Sequence, residues 1–382
     1  MQQNSKTDNE TSSIVLPKKV DIIWNITKVC SWDCEICCVD ADHVSRKNGS
    51  ITMRTDSLEN EHTFPFNADE GSIFDQAVRY KQRVGLELTL EQKLKVLENL
   101  SGFEVKLDIS GGDPLSVTEN TVVLKAASER FGKDKITLTA TGAGLSKCNI
   151  EEIASYIGEL NFTFDSDDCN GKVSRPDHYA AGNLKKATRF AEIGVKTRAE
   201  LPMTIHNIDE QTLENIYMSL HELGIGKLLL MRLFPVGRGA FRQADTPSVE
   251  QYRRAINFLR KMEIKYGNPV IKLQCALKHF DNSGLPTNPC DVFHESFGLM
   301  SNGTLLASPW AMNSAGKPID DSWVLGNLSS NSLTEILSTP KAQVFAKRAN
   351  ENFGHCKIFS FTNSMKENSF DKIFDTTDLL YQ

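Results

Sequence analysis

Hydrophobic and polar positions change rhythm along this chain, and each change predicts an element. Residues 1–18 are mostly Asn, Ser, Thr, Gln and charged side chains, the pattern of a flexible tail. The run VDIIWNI at 20–26 is short, apolar and rich in β-branched residues, as a buried parallel strand is. Residues 41–85 turn polar, with one short periodic piece at 74–80, and read as a long insertion or lid. From Thr89 the pattern becomes regular. Thr89 and Gln92 make a capping-box pair, and Leu90, Leu94, Leu97 and Leu100 recur at helical spacing. Strands at 105–109, 136–140, 161–164, 195–201 and 228–233 then alternate with helices at 118–130, 150–159, 184–193 and 211–223. Gly132, Gly194 and Gly224 each follow a helical pattern and precede a strand, where helix-to-strand turns favour glycine.

Six strands alternating with helices predict an α/β fold whose parallel sheet is doubly wound or curled toward a barrel. Active residues of barrel-like sheets gather at the carboxyl ends of the strands. After a helix at 249–266 the alternation stops. The rest has turn residues, short strands at 298–300 and 304–307, and a helix at 333–347, and reads as a smaller α+β module. The expected organisation is a tail (1–18), a core (19–245, with the insertion at about 41–85) and a C-terminal module (246–382).

Composition narrows the function classes. The 382 residues are 40% hydrophobic and 24% charged, an ordinary globular usage. A net charge of −6 supplies no global attraction for nucleic acid or an anionic membrane. No apolar run is long enough to span a bilayer, and the first twenty residues lack a secretory apolar core, so a soluble cytoplasmic protein is expected. Nine cysteines are too few for a disulfide scaffold and suit thiols or metal ligands.

Directly after the first strand, Cys30, Cys34 and Cys37 form a C-x3-C-x2-C loop. Three thiolates on one tight loop can hold three corners of a [4Fe-4S] cubane and leave the fourth iron open to chemistry. Zinc is the competing metal, because Cys38 could complete a four-thiolate set. The second strand ends in Ser110, Gly111, Gly112, Asp113 and Pro114. Glycines there let backbone approach a ligand, and the carboxylate can accept hydrogen bonds from an ammonium group.

These residues resemble the radical S-adenosylmethionine (SAM) superfamily, and within it the branch with C-terminal SPASM or Twitch modules. Cys30, Cys34 and Cys37 match its CxxxCxxC motif, with Ile36 at the usual aromatic position, and Gly111, Gly112, Asp113 and Pro114 match its GGEP motif with Asp for Glu. Ala140-Thr141-Gly142 and Thr163-Phe164-Asp165-Ser166 stand where the family has Thr-Asn-Gly and Ser-Leu-Asp-Gly, and residues 231–239 resemble its sixth strand and following turn. The resemblance implies a partial (βα)6 TIM-like barrel with a SPASM/Twitch-like module. It also implies a [4Fe-4S] cluster on the three cysteines, with SAM contacted by the Gly111 to Pro114 segment, Thr141, Thr163 and Asp165. The implied chemistry is one-electron cleavage of SAM to methionine and a 5′-deoxyadenosyl radical that removes hydrogen from a substrate, with an external donor such as flavodoxin or ferredoxin.

The module offers Cys275, Cys290 and Cys356 for one auxiliary cluster, with His294 or His355 as helpers. Ser308 and Phe359 stand where the family places further cysteines, so two auxiliary clusters lack ligands; the other reading is a degenerate module with buried thiols. Cys148 and Cys169 read as ordinary thiols and Trp32 as packing, while Arg175 could pair with the SAM carboxylate or an acidic substrate, although a loop arginine is more often solvated. Three functions follow. One is a radical SAM enzyme acting on a ribosomally made peptide or a natural-product or cofactor precursor. The SPASM-like module favours the peptide, and an N-terminus too short for a winged peptide-recognition domain weakens it; the second is a radical SAM oxidoreductase of a small molecule such as a sugar, nucleoside or amino acid. The third, of another class, is a non-catalytic iron-sulfur or zinc protein, which leaves the Gly-Gly-Asp-Pro turn without a purpose.

Overall fold

The structure is a computed structural model and describes residues 16–166, 175–176, 178–280, 290, 292, 296–352 and 354–381. Most of the expected tail, Cys169 and His294 lie outside them. Strand β1 (Lys19–Thr27) buries Val20, Ile22, Trp24 and Ile26, the alternate residues of one face. It leads through β2 (Val29–Cys30) into β3 (Asp42–Lys47), β4 (Ser50–Thr55), β5 (Asn60–Pro65) and helix α1 (Ile73–Arg83). Strands β2 to β5 form their own four-stranded sheet. The insertion expected at 41–85 is thus a folded unit, in which Val44, Ile51 and Met53 pack on Phe74, Ala77 and Val78 of α1. Its outer strand β5 is almost wholly exposed, so the polar pattern hid the strands.

The core continues with α2 (Leu90–Asn99), β6 (Glu104–Gly111), α3 (Thr118–Phe131), β7 (Ile136–Thr139), α4 (Gly142–Lys147), α5 (Ile150–Tyr156) and β8 (Glu159–Thr163). Then come α6 (Tyr179–Glu192), β9 (Lys196–Pro202), α7 (Glu210–Glu222), β10 (Lys227–Met231), α8 (Val249–Tyr266) and β11 (Val270–Leu273). The capping box of Thr89 and Gln92 is formed at α2. The helix expected to reach 159 ends at Tyr156, because Gly158 packs against the backbone of Asp134 and Glu159 already pairs in β8.

Strands β1 and β6 to β11 run in sequential, all-parallel order. Arg198 on β9 comes within 3.9 Å of Asp108 on β6. In a flat sheet three strand spacings would separate them by about 14 Å, so the sheet curls into a partial barrel. It holds a seventh parallel strand, because α8 and β11 continue the alternation; four residues were too short a signal for β11.

On the other side of β1, β12 (Ser296–Leu299) pairs parallel, followed by antiparallel β13 (Thr304–Leu306) and β14 (Val324–Asn327). The C-terminal module therefore extends the barrel sheet to ten strands and shares its core. The single helix expected at 333–347 is two, α9 (Leu333–Leu337) and α10 (Pro340–Arg348). Pro340 has no amide to continue α9 and instead opens α10 behind the Thr339 cap. Helices α11 (Lys357–Asn363) and α12 (Ser369–Lys372) follow. No helix among the described residues is long and apolar enough to cross a membrane.

Candidate active site

A cavity of about 430 Å³ lies at the carboxyl ends of the barrel strands, with the cysteine loop along one wall. Cys30, Cys34 and Cys37 all line it, the first two buried and the third half-buried. The loop is a series of tight turns: the Cys37 amide donates to the Cys34 carbonyl (3.3 Å) and the Asp40 amide to the Cys37 carbonyl (3.3 Å). Burial pushes the Cys30 thiol well up, and Asp113 and Cys34 add to it; burial also raises Cys34, opposed by the Arg175 guanidinium. Such thiols stay protonated until a cation compensates the thiolates, which is how thiolate clusters assemble. Among the described residues no three His, Cys, Asp or Glu side chains converge as ligands of a single ion do. The three thiols line one cavity, with Cys34 and Cys37 near enough to act electrostatically on Cys30, and as a donor set their chemistry suits an iron-sulfur cluster. Cys38 lines the same wall, its thiol pushed up to about 12 by burial, Cys37 and Glu200.

Arg238, which the sequence did not single out, braces this loop. Its Nε donates to the Cys34 carbonyl (2.7 Å), its Nη1 to Asp40 Oδ1 and the Ala41 carbonyl (2.8 Å each), and its amide to the Cys37 carbonyl (2.9 Å). The turn carrying it reaches the loop only because residue 237 is glycine: at φ +52 a Cβ there would lie 2.2 Å from the Cys37 carbonyl oxygen. The residues were visible in the sequence as the end of the 231–239 match, but the partner lies about two hundred positions earlier.

Gly111 and Gly112 line the cavity, yet what demands glycine is the chain itself. A Cβ at Gly111 would lie 2.3 Å from the Thr27 carbonyl oxygen, and one at Gly112 2.3 Å from that of Val29. The turn thereby sits against the start of the cysteine loop, with the Gly112 and Asp113 amides donating to Thr27 and Val29 (2.8 Å each). Asp113 departs from expectation. It is fully buried, does not line the cavity, and turns its carboxylate to the Gly144 amide (2.8 Å) and the Ser116 hydroxyl. Pro114 then opens a short turn away from the site. Asp113 Oδ1 has no partner, and burial raises the carboxyl to about 6. Asp is one methylene shorter than Glu, and here its reach is spent on the backbone of α4.

Thr141 and Thr163 line the cavity at the ends of β7 and β8, and Asn183 of α6 ties them together, donating to Thr141 Oγ1 and the Thr163 carbonyl (3.1 Å each). Asp165 does not reach the cavity. It is buried and holds Arg175 through Nε (2.8 Å to Oδ2) and Nη2, with the Tyr179 hydroxyl as a further donor. Arg175, expected to be solvated, is the group that faces the cavity, because a fully buried carboxylate anchors it. Trp32 packs in the core as expected, edge-on to Tyr179 with centroids 5.5 Å apart, and also lines the cavity. Cys148 donates to the Leu145 carbonyl at the end of α4, away from the cavity, as an ordinary thiol would.

Deeper in the barrel, Asp108 accepts from Thr139 (2.8 Å) and Asn161 (3.1 Å), while Arg198 spans Glu200 (3.4 Å) and Glu159 (3.9 Å). Glu200 faces the cavity, and burial lifts its carboxyl to about 7 against the pull of Arg198. Of the C-terminal cysteines, Cys275 reaches the cavity. Cys290 and Cys356 are buried, and burial with Cys290 pushes Cys356 up to about 12. His355 stands edge-on to Tyr381. Ser308 is buried and accepts from the Trp310 amide (3.2 Å), and Phe359 packs on Phe234 with centroids 5.2 Å apart. Packing has thus taken the two positions where the resemblance places further cysteines.

Neither a family model nor a curated protein matches the sequence. Solved structures do. Streptococcus suis SuiB bound to precursor peptide SuiA superposes with a TM-score of 0.67 at 14% identity, covering 96% of this chain and 77% of that one. SuiB bound to S-adenosylmethionine gives 0.62 at 15% identity, with 96% and 74% covered. Native anSMEcpe with bound AdoMet gives 0.55 at 14%, with 93% and 95% covered. At such identities the likeness speaks for the fold alone, and it spans both the barrel and the module. The chain therefore shares the fold of SuiB and anSMEcpe, a partial parallel barrel extended by a smaller C-terminal module.

Proposed function

We propose that the protein is a radical SAM enzyme that modifies a ribosomally made peptide. The observation that carries the reading is that Cys30, Cys34 and Cys37 line one cavity with the Gly111-Gly112 turn, Thr141, Thr163 and Arg175. A cluster on the three thiolates, with SAM at its open iron, would supply one-electron cleavage of SAM and a 5′-deoxyadenosyl radical able to take hydrogen from the substrate. Around that chemistry the chain does the positioning. Arg175, held by Asp165, offers a fixed guanidinium to the SAM carboxylate, and Thr141 and Thr163 offer polar groups to its ribose. Arg238 holds the cysteine loop by its carbonyls, and Trp32 with Phe234 keeps water from the reactive space. Electrons come from an external donor such as flavodoxin or ferredoxin. The peptide substrate is supported by the likeness to SuiB with its bound precursor peptide.

Reconstituted without oxygen and reduced with dithionite, the protein should convert SAM to 5′-deoxyadenosine; no product from a sample carrying its iron and sulfide sinks the reading. The thiols a second cluster would use are the buried Cys290 and Cys356, close enough for Cys290 to raise Cys356, and Cys275 on the cavity wall; the other reading is a degenerate module with buried thiols. Iron content tests it: about eight per chain for two clusters, about four for one.

A further inference from the structure

Glu200 lies near the carboxyl end of β9, in register with Thr163 of β8 on one side and Leu229 of β10 on the other. Side chains in register on parallel neighbours leave the sheet on the same face, and all three residues line the cavity. The Phe164 amide holds the Glu200 backbone, donating to its carbonyl (3.0 Å). The Glu200 side chain is 17% exposed and accepts at Oε1 from Arg198 Nη2 (3.4 Å). Oε2 has no partner among the described residues and is not sealed off, unlike the unpaired Glu159 Oε1 and Asn161 Oδ1 deeper in the barrel. The charge of Glu200 also reaches the Cys38 thiol, next to Cys37 on the cysteine loop, and helps to raise it.

The charges around Glu200 do not balance. Arg198 is shared by three carboxylates, at 3.4 Å from Glu200 and 3.9 Å from both Asp108 and Glu159. Lys227 serves Glu159 (2.9 Å), and Lys106 is engaged with Asp21 (4.0 Å) at exposed positions. On the other walls Arg175, Arg232 and Arg238 are committed to Asp165, Asp378 and Asp40, and Lys278 stands at the exposed rim. Asp108 satisfies both its oxygens with Thr139 and Asn161, so the deficit falls on Glu200. A buried carboxylate short of a cation keeps a proton or takes up a ligand's charge, and burial does lift this one to about 7.

We infer that Glu200 is the counter-charge of the SAM sulfonium. In SAM the sulfonium joins the amino-acid end, which the open iron would hold, to the ribose, which Thr163 would meet. Glu200 shares a rung with Thr163 and acts on the end of the cysteine loop, so the group between those two ends of SAM is the one its carboxylate serves. A sulfonium has no N–H or O–H, and an oxygen meets it only by charge and through its polarised C–H groups. The inference deepens the radical SAM reading and rests on it for the presence of SAM.

The test uses the reconstituted full chain with its cluster oxidised, so that no turnover occurs, titrated calorimetrically with SAM and with S-adenosylhomocysteine. The second ligand keeps both ends of SAM but has a neutral sulfur. The wild type should bind SAM more tightly, and Glu200→Gln should reduce that preference about tenfold, chiefly through weaker SAM binding. Glu200→Asp keeps the charge on a shorter arm and should reduce it about threefold. An unchanged preference in Glu200→Gln overturns the inference. So does an equal loss of affinity for both ligands, which would assign Glu200 to the ribose, and so does an aspartate variant as impaired as the glutamine one, which would assign it to the fold. Failure of the radical reading shows separately. No binding of either ligand by the wild type overturns the reading and the inference together, whereas SAM binding without 5′-deoxyadenosine on addition of dithionite overturns the reading alone.

Discussion

The cysteine loop after β1 and the C-terminal module both bury thiols, but they surround them differently. At the loop, Cys30, Cys34 and Cys37 share a cavity wall with Arg175 and Arg238, and the loop's carbonyls are tied down by guanidinium donors. In the module, Cys290 and Cys356 are sealed, the nearby guanidinium of Arg232 is committed to Asp378, and Ser308 and Phe359 fill space with packing. Counting cysteines would rank the two regions alike. What separates them is access, since Arg175 and Arg238 are paired with Asp165 and Asp40 just as Arg232 is with Asp378.

Replacing Cys30, Cys34 and Cys37 together by alanine should break the comparison most sharply, removing about four irons per chain and all 5′-deoxyadenosine formation, as read by iron assay and chromatography. Arg238→Ala comes next. It strips the loop of its brace and leaves Lys28, at 3.7 Å, as the remaining cation beside buried Asp40, which keeps the Ser57 amide as a donor, so a loss of about 4 kcal/mol in denaturant unfolding is expected, with poor cluster retention. Phe359→Ala should cost about 3 kcal/mol by emptying the packing against Phe234 and Arg232, while the loop's four irons remain; an equal loss of iron would show that the two regions are not separable.

The smallest effect is a pH dependence. Glu200 has its carboxyl lifted from 4.5 to about 7 by burial, so the folded state binds the proton more tightly than the unfolded chain does. Its contribution to stability is complete below about pH 4.5 and fades as pH climbs through about 7. Glu200→Gln removes that dependence, and thermal unfolding should show the variant gaining about 1–3 kcal/mol on the wild type between pH 4 and pH 8. A gap that stays constant with pH would place the proton elsewhere.

Strand and helix alternation from 89 to 233 was legible because each element carries its own period, and the Thr89 cap because its partner is three residues away. The cysteine motif was legible for the same reason. The strands at 42–65 were not, since their pairing buries few apolar side chains, and neither was β11, which is four residues long. Arg175 shows the limit most clearly. In the sequence it is a loop arginine; in the fold a buried carboxylate ten residues earlier turns it into a fixed cation at the cavity.

By itself the sequence determined the α/β class, the strand that precedes the cysteine loop and the three thiols in that loop, because local periodicity and short spacing suffice for these. Only the tertiary structure decided which groups face the cavity. It turned Asp113 inward to α4 and Asp165 behind Arg175, and brought Arg238 across to the loop. Those outcomes depend on curling a sheet until residues far apart in the chain compete for the same few hydrogen-bond partners, and no local pattern records who wins.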